Sequence, residues 1–184
     1  DWTQVPTEGY NLLPHYFWVW GEQTYQHITS SWSTHHQSHQ VIVGGNVWLS
    51  KWVEKWDNYH PAQDALPFYE QLKQAPTRIL LSAQPMHPIF ADFVFEAIQQ
   101  APKDWLWLFR LHPVYRHMRD ELVPILAKHN IPNYEIDFAT TEPLYALLQN
   151  VDNHLTNFSS VAYEALQFGV PSIVMGEEAR SLYD

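Results

Sequence analysis

The stretch HLTNFSSVAYEALQFGVPSIVM, residues His154–Met175, decides the fold. Its first three residues predict a short strand, Ser159–Phe168 predicts a helix, and Ser172–Met175 predicts a second strand. Gly169 and Pro171 end the helix, because glycine readily adopts the left-handed backbone of a helix C terminus and proline cannot continue a helix. A strand, a helix and a strand joined by such short connections indicate a parallel βαβ unit.

The same alternation runs back along the chain to Thr77. Trp105–Leu111 is a nearly continuous apolar run, which is typical of a strand buried on both faces of a sheet. Strands that alternate with helices in this way predict an α/β fold, a Rossmann-like open parallel sheet with helices on both faces. Ligands of such sheets bind beyond the carboxyl ends of the strands. The other predicted strands are Ile79–Leu81 and Tyr134–Phe138, and the other predicted helices are Ile89–Gln99, Arg116–His129 and Glu142–Gln149.

Residues 1–75 differ from this regular part and contain most of the nine tryptophans. We therefore divide the chain into an aromatic lead-in and linker, residues 1–75, and a Rossmann-like domain, residues 76–184. Trp48, Trp52 and Trp56 recur at helical spacing, which is more typical of a core stripe than of a binding surface. The lead-in shows no α/β repeat before residue 40. Its predicted strands are Tyr16–Trp20 and Gln40–Val43, and its predicted helices are Glu22–Ile28, Val47–Trp56 and Ala62–Gln74.

The amino-acid composition argues against several classes of protein. The 184 residues carry a formal net charge of −10, which argues against a nucleic-acid binder, because such proteins usually show a basic excess. There are no cysteines, so disulfides and cysteine-ligated zinc are excluded. No apolar run reaches the ~18 residues of a membrane span. We expect no signal peptide. We expect a cytoplasmic protein and, since residue 1 is Asp1 rather than Met, a piece of a larger one.

Two other site types find little support. His35, His36 and His39 lie close together in a polar segment, but the carboxylates that would complete a zinc site are not near them. We therefore predict no metal. The G-x-S-x-G elbow of a serine hydrolase does not occur in the sequence.

Polar side chains follow two of the predicted strands. Ser82 and Gln84 come after the first strand and either face a ligand or form an ordinary turn. His112 comes after the second strand, and Pro113 biases it toward an extended backbone that aims its ring out of the strand end. A histidine there donates a hydrogen bond to a phosphate or acts as a general acid, although a histidine before proline is also commonly structural.

Two helix starts are polar as well. Thr141 before Pro143 predicts a plain N-cap. Ser159 and Ser160 open the next helix, where hydroxyls and unpaired backbone N–H groups form a ready anion site. Glu164 lies about one turn deeper, at a distance from which its carboxylate accepts hydrogen bonds from two ribose hydroxyls. The alternative is a serine N-cap followed by a solvated glutamate.

These motifs together carry a family resemblance. RLHP (Arg110–Pro113), followed by NFSSVAYEALQFGVPSIV (Asn157–Val174), resembles the C-terminal nucleotide-binding domain of GT-B fold glycosyltransferases. The similar groups are bacterial sialyltransferases, capsule polysaccharide transferases and the glycerophosphate transferases of teichoic acid synthesis. The resemblance covers about Arg78–Asp184 and implies one half of a GT-B architecture. VIVGGN (Val41–Asn46) resembles the strand and turn that precede this domain in several such enzymes.

The resemblance implies a role for each motif. His112 is the implied catalytic residue, which hydrogen-bonds the donor phosphate and helps the nucleotide depart. Ser159 and Ser160 bind that phosphate, and Glu164 holds the ribose. Ser82 and Gln84 line the implied pocket. Arg110 either compensates the charge of the bound phosphate or pairs with a structural carboxylate.

The implied reaction moves a sugar or polyol phosphate from a cytidine- or uridine-type nucleotide donor to an acceptor hydroxyl in surface polysaccharide synthesis. It needs no metal or other cofactor. The expected partners are the nucleotide-sugar donor, a saccharide or lipid-linked acceptor, and an N-terminal acceptor domain outside this chain. A lipid-linked acceptor implies peripheral membrane association. The catalytic base usually belongs to the N-terminal domain, and we place none on this chain. We therefore expect the chain alone to bind a nucleotide but to be inactive as a transferase.

Two other functions stay open. A sugar-nucleotide 2-epimerase has the same two-domain fold and a similar helix start with a glutamate, although epimerases tend to show Ser-Gly-Gly where this chain has Ser159-Ser160. The second alternative is a non-catalytic nucleotide- or carbohydrate-binding module, whose tryptophans would stack on a sugar or anchor a partner.

Overall fold

The computed structural model describes residues 14–31, 40–54 and 59–176. By its internal contacts the chain divides into two units, Asp1–Glu54 and Lys55–Asp184, which we describe in turn. This division lies earlier along the chain than the boundary between residues 75 and 76 that the sequence suggests. The segment before residue 76 packs within the second unit, where Phe68 stacks on Phe138 with ring centroids 5.6 Å apart.

The first unit contains a small βαβα arrangement. Strand β1 (Tyr16–Val19) is followed by helix α1 (Glu22–Ser31), strand β2 (Gln40–Val43) and helix α2 (Val47–Val53). The two strands pair in parallel, and Phe17 and Val19 of β1 are buried together with Ile28 of α1. A strand–helix–strand repeat therefore begins at Tyr16, and the prediction of no repeat before residue 40 is wrong. The sequence pattern of this repeat is weak, because α1 is polar at most positions.

Two glycines after β2 shape the turn into α2. The ring of Trp18 lies where any other residue at position 44 would carry its Cβ, 1.9 Å away, so only Gly44 fits. Trp18 Nε1 donates to the carbonyl of Gly45 at 2.8 Å, and Gly45 has a positive φ of 70°. The core stripe predicted for α2 is half correct, since Trp52 is 2% exposed and Trp48 is 50% exposed. Trp56 lies outside the described residues.

The second unit contains a five-stranded, entirely parallel sheet. Its strands are β3 (Arg78–Ser82), β4 (Leu106–Arg110), β5 (Tyr134–Glu135), β6 (Asn153–Thr156) and β7 (Ser172–Val174). Their order across the sheet is β5-β4-β3-β6-β7. The prediction of an open parallel α/β sheet is confirmed. The chain runs from the central strand β3 outward to one edge through β4 and β5, and then returns to the other side of β3 with β6. The switch point of the sheet, where ligands of such folds bind, therefore lies between β3 and β6.

Helices connect and cover these strands. One face of the sheet packs Leu81 and Phe109 against Val94 of α4 and Leu122 of α5 in a single buried cluster. Leu108, which points to the opposite face, is fully buried too. Both faces are therefore covered, as the continuous apolar strands predicted. The helices are α3 (Leu66–Gln74), α4 (Asp92–Gln100), α5 (Arg119–Lys128), α6 (Asp137–Thr141), α7 (Leu144–Leu148) and α8 (Val161–Gln167), with 3₁₀ turns at Gln63–Ala65 and Pro113–Met118.

The amino end of the central strand is fastened by an ion pair. Arg78 donates from Nη2 and Nε to the two carboxylate oxygens of Asp152 at 2.8 and 2.9 Å, and its backbone N–H donates to the same carboxylate at 2.8 Å. These hydrogen bonds hold the pKa of Asp152 below its usual range. The pair fixes the start of β3 to the segment that leads into β6.

Two predicted elements differ in the structure. The strand predicted over Tyr134–Phe138 stops at Glu135, because Asp137 begins α6 and the Glu135 carboxylate accepts the backbone N–H of Phe138 at 2.9 Å. The helix predicted over Arg116–His129 is a 3₁₀ turn over its first residues and becomes α-helical at Arg119.

Thr141 is not the N-cap that the sequence predicted. It is the last residue of α6, and its hydroxyl donates to the carbonyl of Asp137 at 2.9 Å. Glu142 is extended, with φ −65° and ψ 151°, as a residue before proline prefers. Helix α7 therefore starts at Leu144, after Pro143.

In the described part of the chain, no helix combines the length and the apolar character needed to cross a membrane.

Candidate functional site

The carboxyl ends of three neighbouring strands bring the predicted site residues together. In the sheet register Ser82 of β3 stands beside Arg110 of β4 on one side and Thr156 of β6 on the other. His112 follows β4, and Ser159 follows β6. The structure therefore places the His-Pro and Ser-Ser motifs at the same edge of the sheet, on the two sides of β3.

The segment after β3 turns tightly. The backbone N–H of Met86 donates to the carbonyl of Gln84 at 2.8 Å, and Gln84 is half-buried. Asn157, in the loop after β6, donates its side-chain amide to the sulfur of Met86 at 3.1 Å. The loops on either side of the switch point are thereby tied to each other.

Ser82 has a structural partner that sequence reasoning did not anticipate. Its side chain is buried, and its hydroxyl lies 3.0 Å from Nε2 of His154. The other ring nitrogen of His154 lies 2.9 Å from the hydroxyl of Ser172 on β7. Burial lowers the pKa of His154 to about 4, so its ring is neutral near neutral pH. The three side chains form a polar row, Ser82–His154–Ser172, across β3, β6 and β7, in which Ser82 and His154 are buried and Ser172 is half-buried.

Arg110 braces the turn between α6 and α7. Its Nη1 donates to the carbonyls of Ala139 and Glu142 at 2.7 and 2.8 Å. Burial lowers the pKa of Arg110, as does the nearby charge of Arg116, whereas the carboxylates of Glu164 and Glu142 act in the opposite direction. A guanidinium at the last carbonyls of a helix also complements the helix dipole. Arg110 thus contributes positive charge near Glu164 and at the same time holds the backbone around the site.

His112 stands at the edge with its ring exposed. Its backbone is extended, with φ −63° and ψ 136°, as predicted from Pro113. Nδ1 accepts the backbone N–H of Val114 at 3.3 Å. Because an accepting Nδ1 carries no hydrogen, the neutral ring has its proton on Nε2. This tautomer is assigned from the hydrogen bond, and it presents an N–H donor on the far side of the ring.

The Ser-Ser motif forms the entrance of α8. Ser160 is the N-cap residue and is exposed. The hydroxyl of Ser159 accepts the backbone N–H of Val161 at 3.3 Å. Part of this motif therefore caps the helix, as the structural alternative proposed, while Ser160 faces solvent beside the switch point.

Glu164 is half-buried on α8 and is fixed by a tyrosine. The hydroxyl of Tyr145 on α7 donates to Glu164 Oε1 at 2.6 Å. A carboxylate keeps further acceptor positions when one oxygen takes a single hydrogen bond. Sequence reasoning identified the glutamate but not this tyrosine, which lies within an otherwise apolar helix.

The turn between α6 and α7 carries another hydrogen-bonded carboxylate, Glu142, which forms a cluster with two tyrosines. Glu142 is 8% exposed and accepts hydrogen bonds from the hydroxyls of Tyr59 and Tyr69, the latter at 2.8 Å. Burial, and then the hydrogen bond to Glu142, raises the pKa of Tyr59 to about 12. The pKa of Tyr69 is raised too, by burial first and then by hydrogen bonds with Tyr59 and Glu142. Nothing in the sequence predicted this cluster, because both tyrosines are far from Glu142 along the chain.

Within residues 14–31, 40–54 and 59–176, no three His, Asp or Glu side chains group together as a metal site would require. His35, His36 and His39 lie outside these residues.

Searches of known proteins give a likeness of structure only. No protein-family model matches the chain, and no curated protein matches it in sequence. The wall teichoic acid polymerase TagF, solved after a soak with CDPG, is 14% identical over 88% of this chain and 37% of its own, with a TM-score of 0.55. The UDP-GlcNAc 2-epimerase from Neisseria meningitidis, bound to UDP-GlcNAc, is 18% identical over 90% of this chain and 46% of its own, with a TM-score of 0.53. MnaA from S. aureus, solved with UDP, is 16% identical over 84% of this chain and 40% of its own, with a TM-score of 0.51.

These likenesses concern the fold. They confirm that the chain has the fold of one Rossmann-like half of the GT-B architecture, as the motifs implied. The chain spans less than half the length of each of these proteins.

Proposed function

We propose that this chain is the donor-binding half of a GT-B glycosyltransferase that moves a sugar or polyol phosphate from a cytidine or uridine nucleotide to an acceptor hydroxyl. The observation that supports the proposal is the strand order, in which β4 and β6 flank β3 and both end at the carboxyl edge of the sheet, where such folds bind ligands. His112 follows β4, and Ser160 and Glu164 follow β6. The ligands in the three similar structures, CDPG, UDP-GlcNAc and UDP, support the choice of a pyrimidine nucleotide.

Each residue supplies one interaction with the donor. His112 donates from Nε2 to the phosphate that becomes the leaving group. Ser160 donates its hydroxyl to the same phosphate from the start of α8. Glu164 accepts hydrogen bonds from the ribose hydroxyls. Gln84 and Arg110 line the site, and Arg110 lowers the electrostatic cost of placing the phosphate near Glu164. Ser82 acts indirectly, through the polar row with His154, because its hydroxyl is engaged there.

The chemistry follows from where charge develops. The acceptor oxygen attacks the transferred group, the bond to the nucleotide phosphate breaks, and the electron pair stays on the nucleotide. Donors already aimed at that phosphate stabilise the transition state more than the ground state, because the charge on the departing oxygen grows along the reaction. The acceptor, a saccharide or a lipid-linked molecule of surface polysaccharide synthesis, gives its proton to a base that we do not assign to this chain.

Calorimetry tests the proposal directly. Uridine and cytidine mono- and diphosphates are titrated into the chain, with the adenosine and guanosine diphosphates as controls for base selectivity. We expect at least one pyrimidine nucleotide to bind, with the diphosphate tighter than the monophosphate. If none of the nucleotides binds, the proposal is wrong.

A 2-epimerase is the second candidate, and one observation favours it: the Neisseria meningitidis 2-epimerase is among the proteins of similar structure. The Ser159-Ser160 pair favours the transferase. Incubation of the intact protein, with its N-terminal domain, with UDP-GlcNAc alone separates the two candidates, because an epimerase changes the sugar at C2 without an acceptor and a transferase does not.

A further inference from the structure

The carboxylate of Glu164 is held by a side chain from a neighbouring helix. Tyr145 of α7 is 9% exposed, and its hydroxyl donates to Glu164 Oε1 at 2.6 Å. Its ring lies against Phe168, with centroids 5.7 Å apart. Glu164 and Phe168 are one helical turn apart on the same face. Tyr145 therefore contacts this face at two points, one polar and one apolar.

The helix that carries Tyr145 is itself firmly placed. The next residues of α7, Ala146, Leu147 and Leu148, are all buried. The turn before α7 is held by the hydrogen bond from Arg110 to the carbonyl of Glu142 at 2.8 Å. The tyrosine hydroxyl is thus fixed in space by packing on one side and by a braced turn on the other.

The fixed hydroxyl of Tyr145 lowers the free energy needed to order the Glu164 side chain when a ligand binds. A glutamate side chain has several rotatable bonds, and ordering it when a ligand binds costs free energy. A short hydrogen bond to a carboxylate is among the stronger hydrogen bonds in proteins. The bond from Tyr145 orders the Glu164 carboxylate before any ligand arrives, and it leaves the carboxylate with acceptor positions for two hydroxyl groups.

We propose that Tyr145 is a positioning residue for ribose recognition, which holds the Glu164 carboxylate ready to accept both hydroxyls of a ribonucleotide. The inference rests on the proposed function, because it presupposes that a nucleotide binds at this edge. It adds to that function a preference for the intact ribose diol over sugars that lack it, and it assigns part of that preference to a side chain that does not touch the ligand.

The variant Tyr145→Phe tests the proposal, because it removes the hydroxyl and keeps the ring against Phe168. Affinities are measured by calorimetry for UDP and CDP and for their 2′,3′-dideoxy analogues. We expect the variant to bind the ribonucleotide about fivefold more weakly, the effect of one hydrogen bond, and the dideoxy analogue unchanged. Tyr163→Phe, on the exposed face of α8, is the matched control and should alter neither affinity.

A double-mutant comparison separates positioning from general support. In a Glu164→Ala background Tyr145→Phe should have no further effect on UDP or CDP binding, because the carboxylate it orients is gone. Thermal unfolding is recorded for each variant. If Tyr145→Phe does not fold, Tyr145→Leu removes the hydroxyl in a second way and must show the same ribose-specific loss.

The outcomes distinguish this inference from the proposed function. If the wild-type chain binds no nucleotide, both fail. If it binds ribonucleotides and dideoxynucleotides equally, or if Tyr145→Phe weakens both equally or neither, the positioning role is wrong and the nucleotide site stands.

Discussion

At His112 one backbone contact determines the chemistry of the ring. Since Nδ1 accepts the N–H of Val114, the hydrogen of the neutral ring is on Nε2 and points away from the chain. The neutral imidazole therefore has its hydrogen on Nε2 before a phosphate binds. Pro113, next in sequence, fixes the backbone that makes this contact.

The first prediction concerns His112 and Ser160. His112→Ala should weaken UDP and CDP binding about tenfold, because a donor to a charged phosphate is lost. Ser160→Ala should weaken it by about threefold, since the backbone N–H groups of the helix start remain. Free uridine and cytidine should bind as they do to the wild type, as measured by calorimetry.

The control for His112 is His117→Ala, an exposed histidine in the same 3₁₀ turn. Equal losses for nucleoside and nucleotide would contradict a phosphate role for His112, and loss of folding would show that the residue is structural.

At the scale of elements, the polar row Ser82–His154–Ser172 joins β3, β6 and β7 next to the switch point. His154 is fully buried, and both of its ring nitrogens have hydroxyl partners. Because it titrates near 4 in the folded chain and near its usual 6.5 in the unfolded one, the unfolded chain binds more protons between these values. Stability from this group is therefore complete above about pH 6.5 and is lost as the pH falls toward 4.

The second prediction is a pH dependence that belongs to His154. Between pH 6.5 and pH 4.5 the free energy of unfolding of the wild type should fall by about 2 kcal/mol. His154→Gln should be less stable at pH 7 but should lose less over the same interval. Urea unfolding at several pH values measures both, with the exposed His60→Gln as a control that should follow the wild type. Parallel pH curves for His154→Gln and the wild type would refute the assignment.

Elements differ in how much the sequence reveals. Local rules placed β3, β4 and β7, because each is a short apolar or β-branched run bounded by turn residues. Local rules also placed the extended backbone of His112. They failed at Thr141, where a hydroxyl before Pro143 suits an N-cap as well as the end of α6. Residue order alone does not distinguish these two cases. The packing of α6 on β4 makes Thr141 the last residue of α6.

Contacts between distant residues could not be predicted. The Glu142 cluster joins residues from α3, from the segment before it and from the α6–α7 turn. Tyr145 lies among the apolar residues of α7, and the sequence pattern does not distinguish it from them. Its hydrogen bond to Glu164 is visible only in the folded structure. Ser82 fits a ligand contact by its position after a strand, but a strand side chain has two faces, and its hydroxyl lies on the face that carries His154.

At the scale of the whole molecule, every residue of the proposed site lies in the second unit, Lys55–Asp184. The core cluster that supports the site, from Ile79 to Ile136, lies there as well. By contrast, the described strands of the first unit form a two-stranded sheet, and an isolated pair of strands is only marginally stable in water.

The third prediction is that residues 55–184 fold alone and keep the nucleotide site. The fragment retains its own core, the five-stranded sheet, and every side chain assigned to the ligand. It should unfold cooperatively and bind UDP or CDP within about twofold of the affinity of the 184-residue chain, because no proposed contact is removed. His112→Ala in the fragment should cause the same fold loss as in the whole chain. A fragment that folds but binds much more weakly than the 184-residue chain would contradict this prediction.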